Sequence, residues 1–427
     1  MRFIERGRLW RQWCWPLQVF LCLGLCPLLC LGVACNAGLS ALPAAEGENP
    51  ELPDNPDNPG NPGLPYFPPA PVFEFYGDIA PNLLVSRGKP AFSSVGGSQP
   101  SRINDGNYRW DGGGSWTNNG QAAWIAIRVG EGPRRVLVEW SSGANYSYTD
   151  TGSGAPAAYS LEVSSDSTHG GDGHWEERVN ISDNRVRTRT HLLEFEGMSW
   201  VRMRLHSGAR ANLDEIDVYD ATHAVELNGN FDSWFFLGDS ITAHAFDRSK
   251  AHGSFAENVS RRWPQFFPMM VNGGVGGDRT QHALARLDNA LEQHPAIQFW
   301  AVCLGSNNVG SGNDGYGLAQ FRSELLEITR RIQAAGRIPV LPSIPFIGRW
   351  DEQRQACQPT RPDVPKFNRA IEEIMEETGA LPGPNLYAYF AANCRQLPDG
   401  LHPNAEGYTA MNRLWAEAAA SIYGAQQ

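Results

Sequence analysis

The stretch Trp234-Phe235-Phe236-Leu237-Gly238-Asp239-Ser240-Ile241-Thr242 does most to limit the folds open to this chain. Four apolar residues in a row read as a short buried strand, Gly-Asp-Ser breaks it, and the next residues can turn into a helix. The same unit then recurs. Val271-Asn272-Gly273-Gly274 leads into a helix with Ala283, Leu284, Leu287 and Leu291 on one face, and Ile297 to Leu304 is the next strand. Leu318, Phe321, Leu325, Ile328 and Ile332 form a stripe at helical spacing, followed by the strand Ile338-Pro339-Val340-Leu341. Phe367, Ile371 and Ile374 mark another helix, and Tyr408, Met411 and Trp415 the last. This βα repetition predicts, for residues 223–427, a three-layer α/β/α domain with a parallel sheet. In such a sheet ligands bind at the carboxyl ends of strands, and Ser240 is placed at one.

Ester hydrolysis by a serine needs an exposed hydroxyl, a base, a group that orients the base, and donors for the oxyanion. Ser240 supplies the hydroxyl. Asp399 and His402, three residues apart in Asp399-Gly400-Leu401-His402-Pro403, supply orienter and base, because that spacing lets a carboxylate reach the ring Nδ1. Gly277 can present an unobstructed N–H, and Asn307, after the next strand, a side-chain amide. Each piece alone is weak; their order, each at a strand end or a helix start, is specific. No G-x-S-x-G or H-E-x-x-H occurs, which argues against an α/β-hydrolase elbow and a zinc protease. His244 reads as structural or pocket-lining, and His282 as a cap on the helix it starts.

Gly238-Asp239-Ser240, Asn272 to Gly277, Gly305-Ser306-Asn307 and Asp399 to His402 together resemble the four signature blocks of the SGNH (GDSL-type) hydrolases. That resemblance implies a flavodoxin-like fold and an acyl-enzyme formed on Ser240. It also implies an oxyanion hole made of the N–H of Ser240, the N–H of Gly277 and the amide of Asn307. No cofactor is implied for catalysis. Asn308 departs from the aspartate many members carry. With Gly276 to His282 and Arg286-Leu287-Asp288-Asn289 it is similar to the platelet-activating-factor acetylhydrolase-like branch, which implies short acyl groups.

Residues 72–222 follow another rule. Val136, Val138 and Trp140 alternate with Leu137 and Glu139; Val201, Met203 and Leu205 alternate with Arg202, Arg204 and His206. Gly, Asn and Ser clusters separate such runs, which predicts an all-β jelly-roll sandwich. Asn82-Leu83-Leu84, Ile103-Asn104-Asp105-Gly106, Val163-Ser164-Ser165-Asp166 and Asp214 to Tyr219 resemble a discoidin-like (factor 5/8 type C) module. The resemblance implies binding of glycans or membrane surfaces and a structural Ca²⁺, with Asn104, Asp105 and Asn107 as candidate donors. Trp110, Trp116, Tyr146 and Tyr148 fall in loop-like sequence and are candidates for stacking on sugar rings, filling of loop cores being the alternative.

The N-terminal part addresses the protein. Basic residues precede an uncharged run from Leu17 to Ala34, the pattern of an export signal over residues 1–35. Leu31-Gly32-Val33-Ala34-Cys35 resembles a lipoprotein box with Cys35 as the lipid-attachment site; plain cleavage and secretion is the alternative. Residues 36–71 read as a linker in which Pro50, Pro53, Pro56, Pro59, Pro62, Pro65 and Pro68 recur every third residue, a polyproline II stalk. The formal charge is −11, which argues against nucleic acid as a partner. Of the cysteines beyond the leader, Cys303 sits in an apolar run, while Cys357 and Cys394 are candidates for a disulfide in an oxidising compartment. The combined expectation is an exported, cell-surface or secreted esterase acting on acetylated carbohydrate. A lysophospholipase or general lipid esterase, and a non-enzymatic glycan-binding surface protein, are the alternatives.

Overall fold

The computed structural model describes residues 79–424 except 97–98, 109–114, 143–153, 207–209, 226–230, 249 and 311–316. The export signal, Cys35, the Pro-rich stalk, Trp110, Tyr146 and Tyr148 lie outside the described residues.

The N-terminal part is antiparallel. In chain order its strands are β1 (Leu83–Leu84), β2 (Ala91–Ser93), β3 (Trp116–Thr117), β4 (Ala123–Arg128), β5 (Arg135–Ser141) and β6 (Tyr159–Ser164). They continue with β7 (Glu176–Ile181), β8 (Thr188–Glu194), β9 (Trp200–Leu205), β10 (Asn212–Leu213) and β11 (Glu215–Asp220). A sheet ordered β2-β4-β9-β6-β7 faces one ordered β1-β11-β5-β8, and β3 pairs with β10. Ile125, Val136, Val138, Trp140, Leu161 and Met203 fill the space between, as period-two alternation requires of two inner faces.

Trp116, expected among the sugar-facing aromatics, is instead fully buried in this core, and its indole N–H donates to Ser93 Oγ at 3.1 Å. No ring face is left for a ligand; β3 is short, and pairing with β10 turns the ring inward. Asn104 Nδ2 donates to the carbonyls of Ser86 (2.8 Å) and Lys89 (2.9 Å), and Asp105 Oδ1 accepts the Asn107 N–H at 2.8 Å. Glu215 Oε1 accepts the Gly106 and Asn107 N–H groups, and the Arg87 guanidinium lies 3.4 Å from Asp217. These contacts brace the turn, and no cluster of three or more His, Cys, Asp or Glu suited to a metal occurs among the described residues.

The C-terminal part carries β12 (Ser233–Gly238), β13 (Met269–Gly274), β14 (Phe299–Cys303), β15 (Ile338–Leu341), the hairpin β16 (Gly348–Asp351) and β17 (Ala356–Pro359), and β18 (Leu381–Pro382). Its helices are α1 (Ser240–Ala245), α2 (Phe255–Arg262), α3 (Thr280–Gln293), α4 (Leu318–Ala334), α5 (Val364–Thr378), α6 (Leu386–Ala392), α7 (Ala405–Ala418) and α8 (Ala420–Gly424). The sheet is parallel throughout, ordered β13-β12-β14-β15-β18. Both faces are covered, so β12 is apolar at every step. Phe235 and Leu237 pack with Ala283, Leu287, Phe321 and Ile328, while Trp234 and Phe236 pack with Phe255, Val259, Met411 and Trp415 on the other side. The order reverses direction at β12, which lies between β13 and β14, and the crevice at that switch point is where this architecture binds ligands.

The two parts share a core. Leu137 and Tyr219, on the outer face of the four-stranded sheet, are buried in one cluster with Phe231, Phe235 and Met269. This is why Leu137 is not solvated as simple alternation predicts. Polar contacts reinforce the junction: Asn82 Nδ2 donates to the Asp232 carbonyl at 3.1 Å, and Arg248 Nε to the Gly106 carbonyl at 2.9 Å.

Candidate active site

The end of β12 is shaped by close approach. A Cβ at Gly238 would lie 2.1 Å from Thr242 Oγ1, and one at Gly274 would lie 2.4 Å from the Ala243 nitrogen. Glycine at both places lets β12 and β13 pack directly on α1. Asp239 is the N-cap of α1, its carboxylate accepting the Ile241 N–H at 2.9 Å, which closes the turn and starts the helix at Ser240. Burial pushes Asp239 up to about 6, against the pull of that N–H and of the Ser306 side chain.

Ser240 Oγ lies 2.8 Å from His402 Nε2, and His402 Nδ1 lies 2.7 Å from Asp399 Oδ2. The carboxylate accepts the Nδ1 proton, which leaves Nε2 free to accept the Ser240 hydroxyl. The other oxygen, Oδ1, accepts the backbone N–H groups of Leu401 (2.8 Å) and His402 (2.7 Å). Burial alone would raise the Asp399 carboxyl. The hydrogen bonds from the His402 ring and from these two N–H groups outweigh it and hold the carboxyl at about 2, so it is ionised throughout the neutral range.

Gly277 has φ +78°, a conformation that favours glycine, and nothing lies within 4 Å of where its Cβ would be. Asn307 Nδ2 donates to the Asp278 carbonyl at 3.0 Å, which fixes the amide beside the Gly277 loop. Asn308 is buried and turned away, its amide donating to Thr280 Oγ1 at 3.0 Å. The five residues assigned from sequence to hydroxyl, base, orienter and oxyanion donors are thus Ser240, His402, Asp399, Gly277 and Asn307, with the Ser240 N–H doing double duty. They lie on the loops after β12, β13 and β14 and on the turn before α7.

Other groups support the site without having been assigned a task in it. Arg286 of α3 is buried and donates to Asp278 Oδ2 (2.7 and 3.0 Å) and to the Gly273 carbonyl (3.0 Å), clamping the β13 loop. The signal for this pair was its eight-residue spacing across a helix start, visible only once α3 is placed. His244 packs its ring 5.8 Å from that of His402, with Nδ1 3.2 Å from Tyr408 Oη. Burial holds His244 down to about 4, so it adds no positive charge beside the base at neutral pH. His282 Nδ1 accepts the Arg279 N–H at 3.3 Å, capping α3. Cys357 and Cys394 are disulfide-bonded, with Cα atoms 5.8 Å apart, tying β17 to the segment just before Asp399.

A serine hydroxyl bonded to an imidazole, itself bonded to an ionised carboxylate, can attack an ester and hold its acyl group, with backbone and amide donors facing the developing oxyanion. Residues 236–410 match the GDSL-like Lipase/Acylhydrolase family. Thioesterase 1/protease 1/lysophospholipase L1 of Escherichia coli K12 is 29% identical over 182 residues, spanning 41% of this chain and 77% of that protein. Among solved structures, the acetylxylan esterase Axe2 of Geobacillus stearothermophilus is similar at 20% identity and a TM-score of 0.36, over 44% of this chain and 93% of that one. The acetyl xylan esterase AlAXEase is similar at 17% identity and a TM-score of 0.36, over 46% of this chain and 100% of that one. This region is therefore similar to the GDSL-like Lipase/Acylhydrolases. The protein is a carboxylic ester hydrolase.

Proposed function

We propose that this hydrolase removes short acyl groups, acetyl above all, from carbohydrate, with Ser240, His402 and Asp399 as its catalytic triad. His402 Nε2 takes the Ser240 proton as Oγ attacks the carbonyl carbon, and the oxyanion forms against the N–H groups of Ser240 and Gly277 and the Asn307 amide. The protonated ring then gives its proton to the departing sugar oxygen. Water, deprotonated by the same nitrogen, cleaves the acyl-enzyme to carboxylate and free serine.

The observation that carries the choice of substrate is the cavity against Asn307 and Asp399. It holds about 310 Å³ and is lined by Arg279, Ser306, Thr360 and Arg361 among its polar side chains. That is room for a sugar, and guanidinium groups are poor company for a lipid tail. The apolar space behind the Ser240 turn, between Ile241, Leu304, Ile344 and Met411, holds only about 20 Å³, enough for about one water. A long acyl chain has no berth in either. The antiparallel sandwich fits this reading as a discoidin-like module that holds the polymer. The acetylhydrolase-like motif around Arg286, and an export signal ending at Cys35 before a stiff stalk, fit an enzyme tethered at the cell surface.

The test is acetate release from a panel of acetylated polysaccharides, with Ser240→Ala as blank, beside kinetics on p-nitrophenyl esters of rising chain length. Release of acetate and a steep fall in kcat/KM beyond short chains are expected. A preference for acyl groups beyond about eight carbons, or efficient cleavage of lysophospholipid, supports the lipid-esterase reading suggested by the Escherichia coli relative and sinks this one.

A further inference from the structure

The chain is acidic as a whole, yet the wall of the cavity against Asn307 and Asp399 is basic. Arg361 lies against Gly310, where a Cβ would come within 2.1 Å of Nη1, and its Nη1 donates to the Gly310 carbonyl at 3.3 Å. Arg349 lies against Gly400, where a Cβ would come within 2.9 Å of its Nε, and donates from Nε (3.2 Å) and Nη2 (2.8 Å) to the Asp399 carbonyl. Two glycines on the rim thus make room for two guanidinium groups, and Arg279 lines the same cavity. Among the described residues no carboxylate forms a salt bridge with Arg349 or Arg361. The one acid in the lining, Asp399, has both oxygens engaged by His402 and Leu401. Arg349 and Arg361 are exposed to solvent, and a planar guanidinium matches a carboxylate through two parallel hydrogen bonds.

We infer that the cavity binds the carboxylate of a uronic acid, so that the preferred substrate is an acetylated, uronate-bearing polysaccharide, with Arg361 as the residue that selects it and Arg349 adding to the field. This rests on the carbohydrate deacetylase reading above and goes beyond it in naming the charge of the sugar.

The experiment compares acetate release from acetylated homogalacturonan with release from the same polymer after methyl esterification of its carboxylates, and from acetylated glucomannan. The wild type is expected to favour the free-acid polymer at least about tenfold in kcat/KM. That preference should shrink as NaCl is raised from about 0.02 to 0.5 M, because salt screens exposed charge pairs. Arg361→Gln should lower the ratio of free-acid to esterified rates by about tenfold, with Arg361→Lys recovering part of it. A wild-type ratio near one, insensitive to salt, overturns the inference while leaving deacetylation standing. An unchanged ratio in Arg361→Gln overturns the role given to that residue. Hydrolysis of p-nitrophenyl acetate with no acetate released from any of the polymers overturns the carbohydrate reading itself, and this inference with it.

Discussion

At the scale of single residues, the site depends on which nitrogen of His402 carries a proton. Asp399 Oδ2 accepts at Nδ1, so Nε2 is the acceptor that faces Ser240. Asp399→Asn offers an amide that can donate to Nδ1, which favours the tautomer with its proton on Nε2, where the hydroxyl must give its own. A loss of about 10³–10⁴ in kcat on p-nitrophenyl acetate at neutral pH is expected, with KM little changed. Asn307 contributes differently. Its amide donates to the Asp278 carbonyl, and Asn307→Ala removes a proposed oxyanion donor without touching the Ser240–His402 bond. The expected fall is about 10²–10³ in kcat. A fall confined to KM in either variant contradicts these assignments. Both residues could be named as candidates from sequence because the chemistry allows few residue types for each task and the folding unit fixes where along the chain they occur.

At the scale of elements, two ties hold the loops in register. The Asp278–Arg286 pair is buried on both sides and joins the start of α3 to the end of β13. Arg286→Met leaves a buried carboxylate without its partner and should cost roughly 3–5 kcal/mol in urea unfolding. The double variant Asp278→Asn, Arg286→Met should recover a good part of that, since both charges are then gone; equal losses in single and double variants count against the pair. The disulfide Cys357–Cys394 encloses a separation of 37 residues and ends five residues before Asp399. On the chain-entropy account its loss in Cys357→Ser is expected to destabilise the fold by about 3–4 kcal/mol. Differential scanning calorimetry in the presence and absence of reductant is the check, and a wild-type Tm indifferent to reductant contradicts it.

At the scale of the whole molecule, the sandwich and the hydrolase share a buried seam, and Asp232 sits in it. Tyr423 Oη of α8 donates to Asp232 Oδ1 at 2.8 Å, Trp234 Nε1 reaches the same oxygen at 3.4 Å, and Asn82 bonds its carbonyl. Burial pushes the Asp232 carboxyl up to about 7 despite those two donors. The folded state therefore binds more protons than the unfolded chain between about pH 4 and 7. The stabilising share of Asp232 is fully present below pH 4 and lost as pH rises through 7. His191 and His294, held down to about 3 by burial, act in the opposite sense and lower stability as pH falls below about 6.5. The useful quantity is thus the stability of the wild type minus that of Asp232→Asn. It should fall by up to about 4 kcal/mol between pH 4 and 7 and then level off, at about 1.4 kcal/mol per pKa unit. Urea titrations of both proteins across that range measure it, and a difference independent of pH would falsify the assignment.

The sequence by itself determined the layered parallel domain, the antiparallel sandwich before it, and the residues offered for the reaction. These follow from local rules: a continuous apolar run in β12, period two in β5, period 3.6 in α4, and a serine, a glycine, an amide and an Asp-x-x-His turn each beside a strand or helix end. What only the tertiary structure decided is everything that depends on which surfaces meet. Trp116 reads as a loop aromatic, but its strand pairs with β10 and carries the ring into the core. Leu137 reads as outward-facing, and is, but the hydrolase covers that face. Arg279 is far along the chain from Arg349 and Arg361, and only the fold sets Arg279 and Arg361 in the wall of one cavity with Arg349 behind its rim. Side-chain periodicity is written within an element, whereas charge, burial and ligand fit belong to elements brought together from distant parts of the chain.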